Sequence, residues 1–170
     1  MTDPERPALP LTVYGGNVLR DAHGAIVLGA QYQSHCPKPG PVYDGTGYSR
    51  MSKALQQGQA AVHAALDATP EAVNEISTGG ATPLHMCGMS RPGQLLTAHI
   101  IARGGDIEAK DTYGFTPLHR MASNNLAAGA RALLVAGADL NASVEGATPL
   151  VVAIQSDAKD VVKVLKEFIR

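Results

Sequence analysis

The clearest hydrophobic pattern in this chain lies near its end. Val161, Val162, Val164, Leu165, Phe168 and Ile169 fall on one face at close to the helical period, and Lys159, Asp160, Lys163, Lys166, Glu167 and Arg170 fill the other. Upstream the same reading predicts helices in pairs: Arg50–Gln57 with Gln59–Ala68, Pro83–Ser90 with Gln94–Arg103, Pro117–Asn124 with Ala127–Val135, and Pro149–Gln155 with Ala158–Arg170. Pro70 stops the second helix. A bend is expected at Arg91-Pro92-Gly93, and Gly104-Gly105 and Gly137 supply left-handed exits. In the last helix Asp157 and Asp160 at the start and Lys166 and Arg170 at the end have the signs the helix dipole favours, and Lys163 and Glu167 are one turn apart, placed to pair.

The helix starts share a phrase. Thr82-Pro83-Leu84-His85 returns 34 residues later as Thr116-Pro117-Leu118-His119, and after 32 more as Thr148-Pro149-Leu150-Val151. Each residue has a physical task. Thr can cap the first turn with its hydroxyl. Pro fits the first helical position, where its missing N–H would be unpaired anyway. Leu points inward, which stabilises by about 1.5–3 kcal/mol when burial is complete. His has a nitrogen on each side of its ring and can tie its own turn to a neighbouring one. One period before Thr82 the chain reads Ser49-Arg50-Met51-Ser52, which keeps the cap and the apolar residue and loses Pro and His. It reads as a degenerate first unit, as end units of stacked repeats commonly are.

More of a known pattern follows in register. Asp111-Thr-Tyr-Gly114-Phe-Thr116-Pro-Leu-His119 and Gly137-Ala-Asp-Leu-Asn141 resemble the start and the close of the ankyrin repeat, and Gly104-Gly-Asp-Ile-Glu108 is a looser copy with Glu108 in place of Asn. The resemblance implies a mainly α ankyrin-repeat solenoid over residues 44–170, with repeats at about 44–76, 77–110, 111–142 and 143–170. Asn125 stands where the family usually turns on Gly, and Asn tolerates that backbone nearly as well.

Residues 1–43 follow different rules. The first ten carry three prolines and charges of both signs, and are expected to be mobile or extended. Leu11–Tyr14 and Asn17–Arg20 flank Gly15-Gly16, a hairpin signal; Asp21–Gly24 is a second turn, and Ala25–Leu28 a third apolar run. A short β-hairpin or meander is one expectation, an extended arm without ladder bonds the other. Pro37, Pro39 and Pro41 then make a stiff connector into Asp44. Tyr14, Tyr32 and Tyr43 suggest that this arm packs on the repeats and occupies part of their surface.

Composition excludes several functions. A net charge of −1, with no basic stripe, gives no reason to expect a nucleic acid. Two cysteines, Cys36 and Cys87, are too few for a disulfide framework and suit no zinc spacing. Cys87 is expected buried and inert inside a helix. No apolar run approaches a membrane span and the first residues carry no secretory signal, which fits an intracellular, cytoplasmic or organellar protein.

No catalytic or cofactor constellation is expected. Ser34, Ser49, Ser77 and Ser90 lack a nucleophile-elbow context, and no phosphate-cradling loop precedes a helix. His85 and His119, in equivalent places of successive repeats, are too far apart to share an ion. His23, His35, His63 and His99 show no partner pattern. What the resemblance offers is a surface for another protein, made of hairpin tips and the exposed face of the first helices. Carried over by position, it comprises Tyr48, Gln56 and Gln57 in the first repeat and Met89 and Ser90 in the second. It continues with Thr112, Tyr113, Phe115, Ser123 and Asn124 in the third and Glu145, Gln155 and Ser156 in the fourth. The expected function is a non-catalytic protein–protein interaction module, an adaptor or scaffold. The alternatives are a structural subunit anchored in a large assembly by residues 1–43, and an enzyme or small-ligand site formed by that segment on the stack.

Overall fold

The computed structural model describes residues 22–25 and 49–169. The hairpin, connector and packing expected of residues 1–43 lie outside them, apart from the turn at 22–24, where Gly24 has φ +81°. The described helices are α1 (Arg50–Gln57), α2 (Gln59–Ala68), α3 (Pro83–Cys87), α4 (Arg91–Gln94), α5 (Thr97–Ala102), α6 (Pro117–Ser123), α7 (Ala127–Val135), α8 (Pro149–Gln155) and α9 (Lys159–Phe168). A 3₁₀ turn, Pro70–Asn74, follows α2.

The helices stack in two layers. α1, α3, α6 and α8 pack successively in one layer, and α5, α7 and α9 do so in the other. Between the layers lies one apolar core that includes Met51, Leu66, Leu84, Ile100, Leu118, Met121, Leu133 and Leu165. This is the helix-pair solenoid that the repeated phrase predicts. Its exits turn on Gly104 and Gly137, at φ +95° and +96°, a backbone that a residue with a Cβ rarely adopts.

The degenerate first unit compensates locally for what it lacks. Without Pro at position 50, the amides of Arg50 and Met51 need acceptors. The buried Glu75 carboxylate takes both, at 3.0 and 2.6 Å. Ser49 Oγ accepts from the Ser52 amide at 3.1 Å, and the Ser52 hydroxyl donates back to the Ser49 carbonyl at 2.9 Å.

Two local expectations are corrected. The Arg91-Pro92-Gly93 bend is a helical turn, α4, because Ser90 Oγ accepts from the Gly93 amide at 3.0 Å and Pro92 has no amide to satisfy. The second helix of that repeat therefore starts later than Gln94, at Thr97. Glu167 does not close on Lys163 along its own helix; Arg131 of α7 reaches it across the seam at 2.7 Å. Both of those side chains are half exposed, so the pair contributes little to stability.

Candidate functional site

The hairpin that leads into α6 is built around one buried carboxylate. Asp111 Oδ1 accepts from the amides of Tyr113 and Phe115, at 2.9 and 3.0 Å, and Oδ2 accepts from Arg120 Nε and Nη2, at 2.9 and 2.5 Å. The Asp111 amide in turn donates to the Phe115 carbonyl at 3.0 Å. Held this way, the Arg120 guanidinium carbon lies 5.4 Å from the Tyr113 ring centre and 5.0 Å from that of Phe115, within cation–π range. The hairpin tip is thus a fixed platform of two aromatic rings bracketing one arginine.

His85 and His119 join the repeats. His85 Nδ1 accepts from the Thr82 amide at 3.2 Å, and Nε2 lies 2.7 Å from the Phe115 carbonyl, to which it can only donate. His119 repeats this with the Thr116 amide at 3.1 Å and the Ala147 carbonyl at 2.9 Å. Each ring must therefore be neutral, with its proton on Nε2. Burial, the largest influence on both, lowers their pKa values from the ordinary one, while the carbonyls they bond and Asp111 pull the other way. Both histidines are engaged on each side and serve the stack.

The surface residues divide into three kinds. Gln56, Gln57, Ser123, Asn124, Glu145, Gln155 and Ser156 are exposed along the first-helix ends and the last hairpin. Met89 is the most exposed apolar group among them, at 63 %, beside Asn124, whose Nδ2 donates to the Gly88 carbonyl at 2.9 Å. Tyr113 and Phe115 are half-buried in the platform. Ser90, also exposed, has its hydroxyl oxygen engaged as the α4 cap. Thr112 is buried and its amide donates to the Gly79 carbonyl of the preceding hairpin at 2.8 Å, so its place is between hairpins, not on the surface. Tyr48 lies outside the described residues.

Sequence reading missed Arg120 and Ile154. Arg120 follows the Thr-Pro-Leu-His phrase directly, and the signal that could have found it is Asp111, nine residues earlier in the hairpin that leads into the same helix. Ile154 occupies the position of Gly88 and Ala122, which are buried, yet it is 61 % exposed on the outer side of the last repeat.

Cys87 is a free, fully buried thiol whose pKa is pushed up to about 12, chiefly by burial, which makes it a poor nucleophile. Among the described residues no group of three or more His, Cys, Asp or Glu side chains is placed to hold a metal ion. No helix among them is long and apolar enough to cross a membrane.

Residues 89–168 match the family model described as ankyrin repeats (3 copies). No curated protein matches the chain. The helix start at Thr82–His85 lies before the matched stretch, but its capping box is the same as that at Thr116–His119.

Proposed function

We propose that this chain, a member of the ankyrin-repeat family, is a non-catalytic adaptor or scaffold that binds another protein through its hairpin tips and the exposed face of its first helices. Ankyrin repeats are in general protein–protein interaction modules. The observation that carries the reading here is the exposed Met89 together with the Tyr113–Arg120–Phe115 platform, linked through Gly88, which precedes Met89 and lies against Arg120. An exposed methionine, two oriented aromatic rings and an arginine are the residue types that anchor interfaces. Gln56, Gln57, Ser123, Asn124, Gln155 and Ser156, at the ends of α1, α6 and α8, add exposed, uncharged hydrogen-bonding groups to the same layer. No helix of this layer carries a carboxylate: α1, α3, α6 and α8 hold only Arg50, Lys53 and Arg120 as charged side chains, the histidines being neutral.

A non-catalytic role is supported by how the polar chemistry is used. His85, His119 and Asp111 are the side chains that a catalytic site would draw on, and each is bonded to backbone within the stack. An intracellular setting is part of the same reading, supported by Cys87 as a free thiol. The test is affinity capture from an extract of the source cells with mass-spectrometric identification. Wild type is compared with Met89→Asp and with the double variant Tyr113→Ala, Phe115→Ala. Loss of the same captured protein in both variants, at unchanged helical content, supports the surface; equal capture by all three refutes the assignment.

A further inference from the structure

The seam between the first two outer helices differs from those that follow. α5 lies along α7, and α7 along α9, whereas α2 and α5 share far less packing. What joins α2 to α5 is polar. The rings of His63 and His99 stack with centres 4.0 Å apart and planes inclined by 33°. One turn further along each helix, Arg103 Nη1 meets Asp67 Oδ1 at 2.9 Å. Each ring buries its Nε2 atom without a hydrogen-bond partner among the described residues.

Two readings of this pair are available, and geometry removes one. A metal ion needs two nitrogen lone pairs that converge at about 2 Å from it. Lone pairs lie in the ring planes, so stacked rings point them side by side. The other reading is titration. Two neutral imidazoles stack without electrostatic cost, but two cations at this separation repel each other, the more so with the Nε2 atoms out of water. The neighbouring charges do not neutralise a second proton. Among the described residues, Asp67 is the carboxylate that favours a charge on His99, and it is bridged to Arg103, whose own charge opposes protonation of that ring.

We propose that the stacked His63 and His99 rings form a pH-operated latch that holds the first repeat to the second at neutral pH and releases it in mild acid. The direction follows from linkage. The closed seam resists protonation more than the open one does: burial first, then the charges of His63 and Arg103, lower the His99 pKa from its ordinary value, against the pull of Asp67. The open form therefore takes up protons first, and closure is lost as pH falls below the ordinary histidine range. Because α1 belongs to the released repeat and carries Gln56 and Gln57, opening would also withdraw that end of the proposed binding surface. That last consequence rests on the binding reading; the latch itself does not.

Amide hydrogen exchange on the full chain tests the latch, with rates corrected for the intrinsic effect of pH. Between pH 7.5 and 5.0, protection of residues 59–68 in α2 should fall more steeply in wild type than in the double variant His63→Phe, His99→Phe, by about tenfold per pH unit once the open form binds the extra proton. The double variant keeps ring stacking without titration, and the acid response of His85 and His119 is common to both proteins and cancels from the comparison. An equal loss of α2 protection in wild type and double variant overturns the proposal. An NMR titration of the single variant His63→Phe guards against a misfolded double variant. His99 should titrate higher there than in wild type, and an unmoved His99 counts against coupling of the rings.

Discussion

The front and the back of this stack are joined by different chemistry. At the back, α7 and α9 pack along each other, and Asn125 supplies what the start of α9 lacks. Its Oδ1 accepts from the Asp160 and Val161 amides, each at 3.1 Å, and its Nδ2 donates to Asp160 at 2.9 Å. In the same way Gln94 Oε1 accepts from the Ala128 and Gly129 amides that open α7, at 3.1 and 3.2 Å. An amide side chain of one repeat thus caps the outer helix of the next, and apolar packing closes behind it. At the front, the joints are ionisable: Glu75 under α1, the His63–His99 stack, and the Asp67–Arg103 bridge. The back seam also carries charge, but the Arg131–Glu167 pair there is half exposed and contributes little, whereas at the front two imidazole rings are themselves the contact. Repeats that occupy equivalent places in the stack are therefore unequal in what can open them.

The middle of the stack sets the scale for testing this contrast. Asp111→Ala should be the most damaging change, at about 3–5 kcal/mol, because it strips Arg120 of its partner and leaves two hairpin amides without an acceptor. Urea unfolding followed by circular dichroism should show the midpoint drop for the whole stack. Glu75→Ala should come next, at about 1–3 kcal/mol for the two amides it leaves unpaired. Its loss should be local: exchange of α1 should accelerate while α7 and α9 keep their protection, and uniform acceleration would erase the distinction between front and back.

Acid should act through the two neutral joining histidines as well. Burial lowers the pKa values of His85 and His119, so their contribution is complete above about pH 6.5 and declines as pH falls below it, by up to about 1.4 kcal/mol per pH unit for each ring. Denaturant midpoints at pH 7.5, 6.5 and 5.5 measure this, and a flat profile would contradict the neutral tautomers assigned from the Phe115 and Ala147 carbonyls. Asn125→Ala should cost about 1 kcal/mol, the usual loss for a helix cap, with α9 fraying first in exchange. Met89→Asp, on the exposed face, should change stability by no more than about 0.5 kcal/mol while it abolishes partner capture.

Most of the helix content was legible because the information is local. Thr82, Pro83 and the Nδ1 side of His85 act within a single turn, and their spacing gave the helix starts at Pro83, Pro117 and Pro149. The candidate surface was legible only as a set of positions. Thr112 sits in the hairpin like Tyr113, yet its amide meets Gly79 of the neighbouring hairpin and its side chain is buried. Nothing within its own repeat distinguishes the two. Arg120 and Glu75 were missed for a related reason: an arginine on a helix and a glutamate in a loop are ordinary surface residues until a buried partner is known.

What the sequence alone determined is therefore the repeating unit: its helices, its caps, its left-handed exits and the apolar residues that face inward. Each of these follows from contacts three or four residues apart. The tertiary structure decided which side chains cross between units. Asn125 reaches Asp160, Gln94 reaches Ala128, His63 stacks on His99 and Glu75 returns to Met51, over separations of 24 to 36 residues. Those partners meet because stacking brings corresponding turns side by side. Their register depends on the exact rotation between neighbouring units, which packing sets and which helical periodicity within one unit does not encode.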